Sequence, residues 1–425
     1  MRPNQLYTVK FSVIVGLALC LICKNQIGLA ETQKGLWFER NGERVFLLGA
    51  NYPFYNAYRG ADLGPYRGTK PIANVALTKD RGRDKARNSK QVPIPVAPGA
   101  TSFDAEGIEA QLGDMHDIGI HVLRWFWGED GRAFLELDKD GNCTGIDPAA
   151  LQNIDRVVAL AEKHQVFLVP CLLNNLFIGG NDHLLYEDGT LGAGHPDTIK
   201  DPQKRKSLLD NYIKPLAARY ADKDGILYWE IMNEAANIVS GTDPKTGCTV
   251  HYGDRFPEEN RVTPVELQTF LNEAYEAIKS VDKKHPIMPS GLARPFHLPL
   301  IVGRVKADLY GAHYDDDGTT DYGKVRSVDQ IKKGLFQKYR LVLDKPLVMT
   351  EGTHSMNTHL DYYVTQAYEG GWAGYLPWTY YGLIGLSYFI HYDRTVTSKD
   401  GKPNARPNIE FYKQFNREHV NELLK

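Results

Sequence analysis

The stretch YWEIMNEAAN, Tyr228–Asn237, decides the fold. It begins with large apolar residues and ends in the polar pair Asn233 and Glu234. Near-continuous apolarity over four to eight residues is typical of a strand that is buried on both faces, and such strands belong to parallel sheets. An amide and a carboxylate at the end of such a strand predict a functional edge, provided that other strands end in the same way.

Short apolar runs of this kind recur along the chain, and nearly all are followed by a loop and a helical pattern. They are VFLLGANYPFY from Val45, HVLRWFWGE from His121, VFLVPCLLNN from Val166, ILYWEIMNEAAN from Ile226, PIMPSGLARP from Pro286, ADLYGAHYDDD from Ala307, PLVMTEGTH from Pro346 and WAGYLPWTYYG from Trp372. Eight repeats of strand and helix predict an α/β fold, a (β/α)8 TIM barrel. The alternative, an open doubly wound sheet, would carry a glycine fingerprint after an early strand, and the sequence has none.

Two of the intervening segments carry clear helix signals. Asp147 and Pro148 open a helical pattern that runs to His164. Thr263, followed by Pro264 and Glu266, gives an N-cap, a first-turn proline and a capping box. Both patterns predict helices that pack on the outside of the barrel.

The first 30 residues read as a signal peptide. Arg2 and Lys10 flank the start of an apolar run, Phe11–Cys23, and the small residues Gly28 and Ala30 predict cleavage after Ala30. The run is short for a membrane span, although a retained single-span anchor is the alternative interpretation. We therefore expect a secreted or lumenal protein with no membrane attachment after cleavage.

The remaining chain, residues 35–425, is predicted to be one barrel domain with a long insertion at about residues 56–100. The insertion holds the basic run KDRGRDKARNSK and then VPIPVAPG, and it is too long for an ordinary connection between a strand and a helix. A solvated loop explains it, because charged runs usually face water. A flap over one end of an active-site cleft is the alternative, because strand-to-helix loops lie on the catalytic face of a barrel.

Charge and cysteine content restrict the partners and the metal chemistry. The formal charge is -2 with acids and bases intermixed, which argues against binding to nucleic acid or to an anionic membrane. No cysteine spacing suggests a zinc site. Cys171 lies in a predicted strand and is expected to be a buried thiol, whereas Cys143 and Cys248 lie in glycine-rich loops and could form a disulfide.

In a barrel, the C-terminal ends of the strands form one rim, and most of the predicted strands end in polar or aromatic residues. These are Arg124, Asn174 and Asn175, Asn233 and Glu234, His313 and Tyr314, Glu351, and Trp378. Core packing explains any one of them but not all together. Catalytic residues at several strand ends are typical of this fold.

The two carboxylates on the fourth and seventh strands suit cleavage of a glycosidic bond. One must protonate the leaving oxygen while the other attacks the anomeric carbon or directs water to it. We assign Glu234 as acid/base, held protonated by a less polar setting, and Glu351 as nucleophile, kept anionic by Arg124. Asn233 is expected to bind the sugar hydroxyl next to the reacting carbon.

These motifs resemble glycoside hydrolase family 5 of clan A. The resemblance rests on WEIMNE, KPLVMTEGT, LRWFW and YLPWTYYG, in this order, and covers the chain from about Gly35 to the C-terminus. It implies retaining hydrolysis of β-linked polysaccharide or oligosaccharide, with no metal and no organic cofactor. It also implies that Arg124, Asn174, Asn233, His313, Tyr314 and Trp378 bind substrate. VPCLLNNLFIGG resembles endo-β-1,4-mannanases; cellulase-like endo-β-glucanases and exo-β-glycosidases are the alternatives.

Three positions depart from the family pattern. Ala235 replaces the proline that usually follows the acid/base, and GTH follows Glu351 where an aromatic residue is common. His313 and Tyr314 are adjacent, and adjacent residues on a regular strand point to opposite faces. Tyr314 therefore reaches the nucleophile only if a bulge redirects it.

Aromatic residues near the rim are candidate sugar subsites. The nearest in sequence are Trp125, Trp127, Tyr380 and Tyr381, and strand alternation predicts that about half of them belong to the ordinary core. Two other functional classes remain open: a non-catalytic carbohydrate-binding pseudoenzyme, and a metal-dependent hydrolase using HYDDD, His313–Asp317.

Overall fold

A computed structural model describes most of the predicted barrel domain. The described residues are 28–32, 35–40, 43–52, 63–65, 101, 103–128, 131, 134–180, 194–314, 325–352, 360–378, 393–397, 403–404 and 406–419.

Eight parallel strands close into a barrel in which each strand pairs with its neighbours in chain order. They are β1 Leu47–Asn51, β2 Val122–Phe126, β3 Phe167–Asn174, β4 Trp229–Asn233, β5 Ile287–Leu292, β6 Tyr310–Tyr314, β7 Leu347–Gly352 and β8 Gly374–Pro377. Every strand lies inside one of the eight predicted runs, so the predicted TIM barrel is confirmed.

The described helices pack mainly around this barrel. The α-helices are Ala105–Ile118, Pro148–Lys163, Asn175–Gly179, Asp197–Lys200, Pro202–Leu208, Lys214–Tyr220, Pro264–Val281, Val328–Ile331, Gln337–Tyr339, Leu360–Glu369 and Arg406–His419. Single π-helical turns, Leu209–Ile213 and Lys332–Phe336, interrupt two of the helical segments. Short 3-10 helices are Ala235–Ile238, Tyr252–Arg255, Glu258–Asn260 and Pro295–Leu300.

Both predicted helix starts are found. Asp147 caps Pro148–Lys163 by accepting hydrogen bonds from the backbone N–H groups of the first turn. Thr263 and Glu266 form a reciprocal capping box at the start of Pro264–Val281. These caps satisfy amide donors that have no partner within the helix.

The barrel interior changes character along its axis. Near the start of the strands, Leu47, Val122 and Met288 belong to an apolar cluster, which Phe38 joins from outside the barrel by stacking on Tyr228 at 6.4 Å between ring centroids. Near the C-terminal ends of the strands, the interior is filled by buried polar side chains such as Arg124, Glu230 and His313. The apolar end stabilises the barrel, and the polar end carries the candidate site.

Four small antiparallel sheets lie outside the barrel in the described part of the chain. They are Gly28–Thr32 with Gly35–Arg40 and Glu43–Val45, Leu135–Leu137 with Cys143–Ile146, Gly241–Thr242 with Thr249–Val250, and Asp393–Thr397 with Pro403–Asn404. Cleavage after Ala30, which stays a prediction, would cut the first strand of the first sheet.

Most of the predicted insertion lies outside the described residues, as does the apolar run Phe11–Cys23. Leu63 is an exception: it is fully buried, and its carbonyl accepts a hydrogen bond from Asn153 at 2.8 Å. Among the described residues, no helix is both long enough and apolar enough to cross a membrane.

The proposed disulfide between Cys143 and Cys248 is wrong. Cys143, Cys171 and Cys248 are free and buried. The backbone of Cys143 is bound to Ser207 and Asn211, whereas Cys248 lies in the hairpin that follows β4. The two glycine-rich loops leave the barrel at different sectors, which sequence alone did not show. Cys171 is a buried strand thiol, as predicted, and burial raises its pKa.

Candidate active site

Arg124 on β2 organises the polar end of the barrel. Its side chain is completely buried, and all five of its N–H donors have acceptors. Nε and Nη2 bind the two carboxylate oxygens of Glu230 at 2.6 and 2.8 Å. Nη1 binds Asn51 Oδ1 at 2.9 Å and Glu351 Oε1 at 2.7 Å, and Nη2 also binds Asn233 Oδ1 at 2.7 Å. The guanidinium thus fixes groups from β1, β4 and β7 in one arrangement.

Glu230 and Asn51 hold the guanidinium of Arg124 in place by accepting its hydrogen bonds. Glu230 is fully buried and also accepts the backbone N–H of Gly291 at 2.8 Å. Asn51 donates to the carbonyls of Thr350 and Leu376 at 2.8 and 3.0 Å, which links β1 to β7 and β8. Buried charges need this degree of hydrogen bonding, because an uncompensated one is very costly.

Glu234 follows β4 in a left-handed backbone conformation, with φ 50° and ψ 40°. Such a conformation is uncommon for a residue other than glycine and is held here by a hydrogen bond from its N–H to the carbonyl of Gly291, 2.8 Å long. Its Oε2 accepts from the side-chain amides of Asn175 at 3.0 Å and Asn237 at 2.7 Å. The setting is more polar than the sequence analysis expected.

Glu351 lies near the end of β7 with its side chain 14% exposed. Burial raises the pKa of its carboxyl from the ordinary value, and the nearby charge of Glu234 acts in the same direction. His313 and Arg124 oppose this shift without cancelling it. The expected ion pair between Arg124 and Glu351 is present, and its effect on the pKa of Glu351 is smaller than that of burial.

His313 lies between the two carboxylates. Its Nδ1 is 3.3 Å from Glu234 Oε1 and 3.4 Å from Glu351 Oε2. One oxygen of each glutamate and this nitrogen all lie within 4.8 Å of one another. The pairing register between β6 and β7 shifts between Ala312 and His313, with Thr350 as the extra residue on β7, whereas His313 and Tyr314 pair with the consecutive residues Glu351 and Gly352. The side chain of Tyr314 lies outside the described part of the chain.

Two further predicted site residues are Trp378 and Asn174. Trp378 is at the rim, partly exposed, with its ring 6.0 Å from that of Phe126. Asn174 Oδ1 accepts the backbone N–H of Leu176 and so caps Asn175–Gly179, while the contact to Glu234 comes from Asn175.

The aromatic subsite candidates do not line the site where the structure describes them. Trp125 and Trp127 are fully buried in the cluster between barrel and helices, so both belong to the core. Tyr380 and Tyr381 lie outside the described residues.

A cleft of about 630 Å³ lies in the loops that follow β4, β5 and β6. Tyr252, Phe296 and His297 form part of its wall, with ring centroids 4.6 Å apart between His297 and each of the other two. Phe296 is 41% exposed. Burial and Arg294 lower the pKa of His297 to about 3, and the charge of Glu234 opposes this shift.

Sequence reasoning missed Glu230, Asn51 and Asn237, and it favoured Asn174 over Asn175. Glu230 was visible as a charge within the apolar run YWEIM, at a position that alternation directs into the barrel. Asn51, like Asn233, is a polar residue at the end of a strand. Asn237 lies in a short 3-10 helix, for which no sequence pattern is available.

Comparison with known proteins gives matches in sequence and in fold. No protein-family model matches the chain. A probable mannan endo-1,4-beta-mannosidase A-2 of Aspergillus terreus is 28% identical over 184 residues, which are 41% of this chain and 40% of the relative. The mannan endo-1,4-beta-mannosidase of Mytilus edulis is 22% identical over 247 residues, 57% of this chain and 55% of the relative.

The chain resembles mannan endo-1,4-β-mannosidases. Solved structures agree: an endo-1,4-beta-mannanase of Eisenia fetida has a TM-score of 0.62 at 19% identity, covering 92% of this chain and 95% of its own. A glycoside hydrolase family 5 mannosidase of Rhizomucor miehei has a TM-score of 0.50 at 15% identity, covering 94% and 99%. The predicted resemblance to divergent family 5 mannanases is confirmed. The structural likeness shows the shared fold, and the chain spans less than two thirds of the length of these two curated relatives.

Proposed function

We propose that this chain is a retaining glycoside hydrolase that cleaves β-1,4-linked mannan. The observation that carries the proposal is the pair of carboxylates, Glu234 and Glu351, which approach within 4.8 Å across the barrel mouth. Retaining enzymes hold their carboxyl groups about 5 Å apart, whereas inverting enzymes leave roughly 6.5–9.5 Å for a water molecule. The separation supports direct attack by one of them on the sugar.

In the first step, Glu351 Oε2 forms a bond to the anomeric carbon while the bond to the leaving oxygen breaks. Glu234 transfers its proton to that oxygen, so the leaving sugar departs as an alcohol. Glu351 Oε1 stays bound to Arg124, which holds the attacking oxygen in position. The product of this step is a glycosyl ester on Glu351 and an ionised Glu234.

In the second step, Glu234 removes a proton from water, and the resulting oxygen attacks the anomeric carbon. The ester bond to Glu351 breaks and its carboxylate returns, while Glu234 regains its proton. Two inversions at one carbon give net retention of the β configuration.

The environment of each carboxyl supports this division of roles. The charge of an ionised Glu234 contributes to raising the pKa of Glu351, so the ionisation of the two carboxyls is coupled. When Glu234 holds the proton, that repulsion vanishes, and Arg124 and His313 favour the anionic form of Glu351. The carboxyl that is bonded to the guanidinium is the better nucleophile of the two.

Asn233 is suited to the sugar hydroxyl next to the reacting carbon. Its Oδ1 accepts from Arg124 at 2.7 Å, which fixes the amide orientation and leaves Nδ2 as the donor for substrate. A hydrogen bond at this hydroxyl strengthens as charge develops in the transition state.

The similarity to mannan endo-1,4-β-mannosidases supports mannan over other β-glycans. Cellulase-like endo-β-glucanase and exo-β-glycosidase activity are the alternatives, and the test is release of reducing sugar from mannan, glucomannan, cellulose and xyloglucan. The proposal predicts release from mannan by the wild type and a loss of several orders of magnitude for Glu351→Ala. A wild type that binds mannan but releases no sugar would support a pseudoenzyme.

Two variants separate the roles of the glutamates. Glu234→Ala should release the aryl group of an aryl mannoside rapidly in the first turnover, because that leaving group needs no proton, and then turn over slowly, because the general base of the second step is missing. Glu351→Ala should be inactive on the same substrate. Equal losses for both variants on this substrate would contradict the assignment.

We also propose that the chain is secreted, on the strength of the predicted signal peptide. Expression with the natural N-terminus and sequencing of the exported protein should give a start at Glu31, after Ala30. Retention of residues 1–30 in a membrane fraction would contradict this and support a retained anchor.

A further inference from the structure

We propose that His297 binds the leaving part of the glycan, with its two ring nitrogens bonded to hydroxyl groups of a pyranose that lies in the cleft after β4, β5 and β6. The inference rests on the proposed function and deepens it, because it assigns a specificity-determining residue outside the pair of carboxylates.

His297 is a buried histidine whose hydrogen-bonding capacity is not used within the protein. The residue is 1% exposed and lines the cleft. Neither Nδ1 nor Nε2 has a hydrogen-bond partner in the described part of the chain, and no other buried histidine there leaves both ring nitrogens unpaired. Burying such groups without partners is costly, so each instance in a folded protein calls for an explanation. Hydroxyl groups of a ligand in the cleft would satisfy both nitrogens.

Two aromatic neighbours hold the ring of His297 in one orientation. The rings of Tyr252 and Phe296 meet it at interplanar angles of 82° and 75°, each with centroids 4.6 Å away. The backbone N–H of His297 donates to the carbonyl of Arg294 at 3.1 Å, which fixes the start of the 3-10 helix Pro295–Leu300. Because the ring is already ordered, little side-chain entropy is lost when a ligand binds.

The chemistry of the cleft suits an uncharged sugar. Burial and Arg294 lower the pKa of His297 to about 3, so above about pH 5 one ring nitrogen donates a hydrogen bond and the other accepts one. A hydroxyl group can pair with either nitrogen, because it both donates and accepts. Phe296, which is 41% exposed, offers the flat apolar face on which a pyranose ring stacks. The cleft volume of about 630 Å³ lies within the range of roughly 300–1,000 Å³ that is usual for ligand sites.

Both walls of the cleft are connected to Glu234 through short segments. Gly291 on β5 accepts the N–H of Glu234, and β5 leads into the helix Pro295–Leu300. On the other wall, Gly253 donates its N–H at 2.9 Å to the carbonyl of Val239, five residues after Glu234. The general acid protonates the leaving oxygen, so the part of the glycan that departs first lies on its side of the scissile bond. This is why we assign the cleft to the leaving sugar.

The test is the kinetics of His297→Phe and His297→Gln on mannan oligosaccharides and on an aryl mannoside, which has no leaving sugar. Phenylalanine keeps a ring and removes both hydrogen-bonding atoms, whereas glutamine keeps a donor and an acceptor. His297→Phe should lower kcat/KM for the oligosaccharides at least about tenfold, mainly through KM, and leave the aryl mannoside within about twofold of wild type. The loss should be equal at about pH 5 and about pH 7, because the ring is uncharged at both. His297→Gln should recover part of it.

Two other histidines provide the comparison. His164 follows the helix Pro148–Lys163 and precedes β3, so it lies at the opposite end of the barrel, and His164→Ala should retain wild-type kcat/KM on both substrates. His251 lines the same cleft, but its side chain is 72% exposed and lies 3.6 Å from Asp254. His251→Ala should therefore cost less on oligosaccharides than His297→Phe. Thermal unfolding confirms that each variant is folded.

Equal losses on both substrates for His297→Phe, or no loss on either, would overturn the inference. A wild type that hydrolyses no glycan would contradict the proposed function instead. Calorimetric titration with mannan oligosaccharide then decides the inference by itself: weaker binding by His297→Phe than by wild type would support it, and equal binding or none by wild type would overturn it.

Discussion

At the scale of single residues, Arg124 determines what the two carboxylates can do. It binds Glu230 with two donors and Glu351 with one, and both carboxylates are largely or wholly removed from water. A lysine has a compact charge and three donors, so it cannot reproduce the planar, bidentate geometry. The site depends on the shape of the guanidinium as much as on its charge.

Arg124→Lys should therefore lower both stability and activity. Glu230 would lose one of the two hydrogen bonds that it accepts from Arg124 within a completely buried site. Breaking a buried ion pair completely costs about 3–5 kcal/mol of unfolding free energy, and this range is the upper limit for the lysine variant. Urea unfolding measures the loss. Arg219→Lys is the control, because Arg219 pairs with Asp155 at the surface, and its replacement should change stability by less than about 1 kcal/mol. Equal effects of the two substitutions would contradict the role of Arg124.

A second prediction at this scale concerns the acid limb of the pH profile. Burial raises the pKa of Glu351, and protonated Glu351 cannot attack, so kcat/KM should fall with decreasing pH at values above the ordinary 4.5 of a glutamate. His313 lowers this pKa, so His313→Ala should move the acid limb to higher pH.

The measurement is kcat/KM of wild type and His313→Ala across the acid range, with His251→Ala as a control that should not shift the limb. A shift of the His313→Ala limb to lower pH would show that the electrostatic account of Glu351 is wrong.

The sequence predicted Glu234, Glu351, Arg124 and His313 because each lies at or near the end of a recognisable strand. Their individual roles remain proposals. Glu230 was missed because it lies inside an apolar run that was interpreted only as a strand. The alternation of side chains along that strand directs Glu230 into the barrel. The choice between Asn174 and Asn175 depends on which amide is used in capping Asn175–Gly179, and this is a matter of three-dimensional geometry.

At the scale of elements, β5 must leave room for the catalytic end of the barrel. A Cβ on Gly291 would lie 2.5 Å from Thr350 Oγ1, 2.8 Å from Glu230 Oε1 and 3.0 Å from His313 Nε2. The same residue accepts the N–H of Glu234 with its carbonyl and donates its own N–H to Glu230. Glycine at this position allows three strands to bring their polar side chains together.

Gly291→Ala should destabilise the fold by about 1–3 kcal/mol and lower activity, because the added methyl group displaces Glu230 or His313. Chemical unfolding and kcat measure the two effects. Gly334→Ala is the matched control, since a Cβ there meets nothing within 4 Å and the residue lies in a helical turn. A Gly291→Ala protein with wild-type kcat would show that the crowding at β5 has no catalytic consequence.

The strands and the long helices were predictable from their periodicity and caps. The hairpins, the 3-10 segments and the π-helical turns were not, because they are too short to show a repeating pattern. The suggested pairing of Cys143 with Cys248 failed for a related reason: loop composition does not reveal which sector of the barrel a loop occupies.

At the scale of the whole molecule, the order of strands and the closure of the barrel persist at identities below 20% to solved mannanases. The fold depends on the pattern of buried residues more than on their identity. Substrate choice depends instead on the loops at the C-terminal face of the barrel. This is why the fold was predictable from the sequence, whereas mannan as the substrate remains a proposal.

The cleft formed by the segments that follow β4, β5 and β6 gives a prediction at this scale. General acid catalysis places the leaving sugar on the side of Glu234, and we expect this sugar to extend into the cleft, where Phe296 offers an exposed aromatic face. Phe296→Ala should lower kcat/KM for mannan oligosaccharides about tenfold while leaving an aryl mannoside, which has no leaving sugar, nearly unaffected. Val342→Ala, an exposed apolar residue outside the cleft, is the control. Equal losses on both substrates would contradict the placement of the leaving sugar.

The most direct test of the central claim is the anomeric configuration of the first product of hydrolysis, followed by proton NMR immediately after enzyme is added to a mannan oligosaccharide. Carboxylates within 4.8 Å of each other predict that the β-anomer appears first and then equilibrates. Initial appearance of the α-anomer would mean that water attacks the sugar directly, and it would contradict the assignment of Glu351 as a covalent nucleophile.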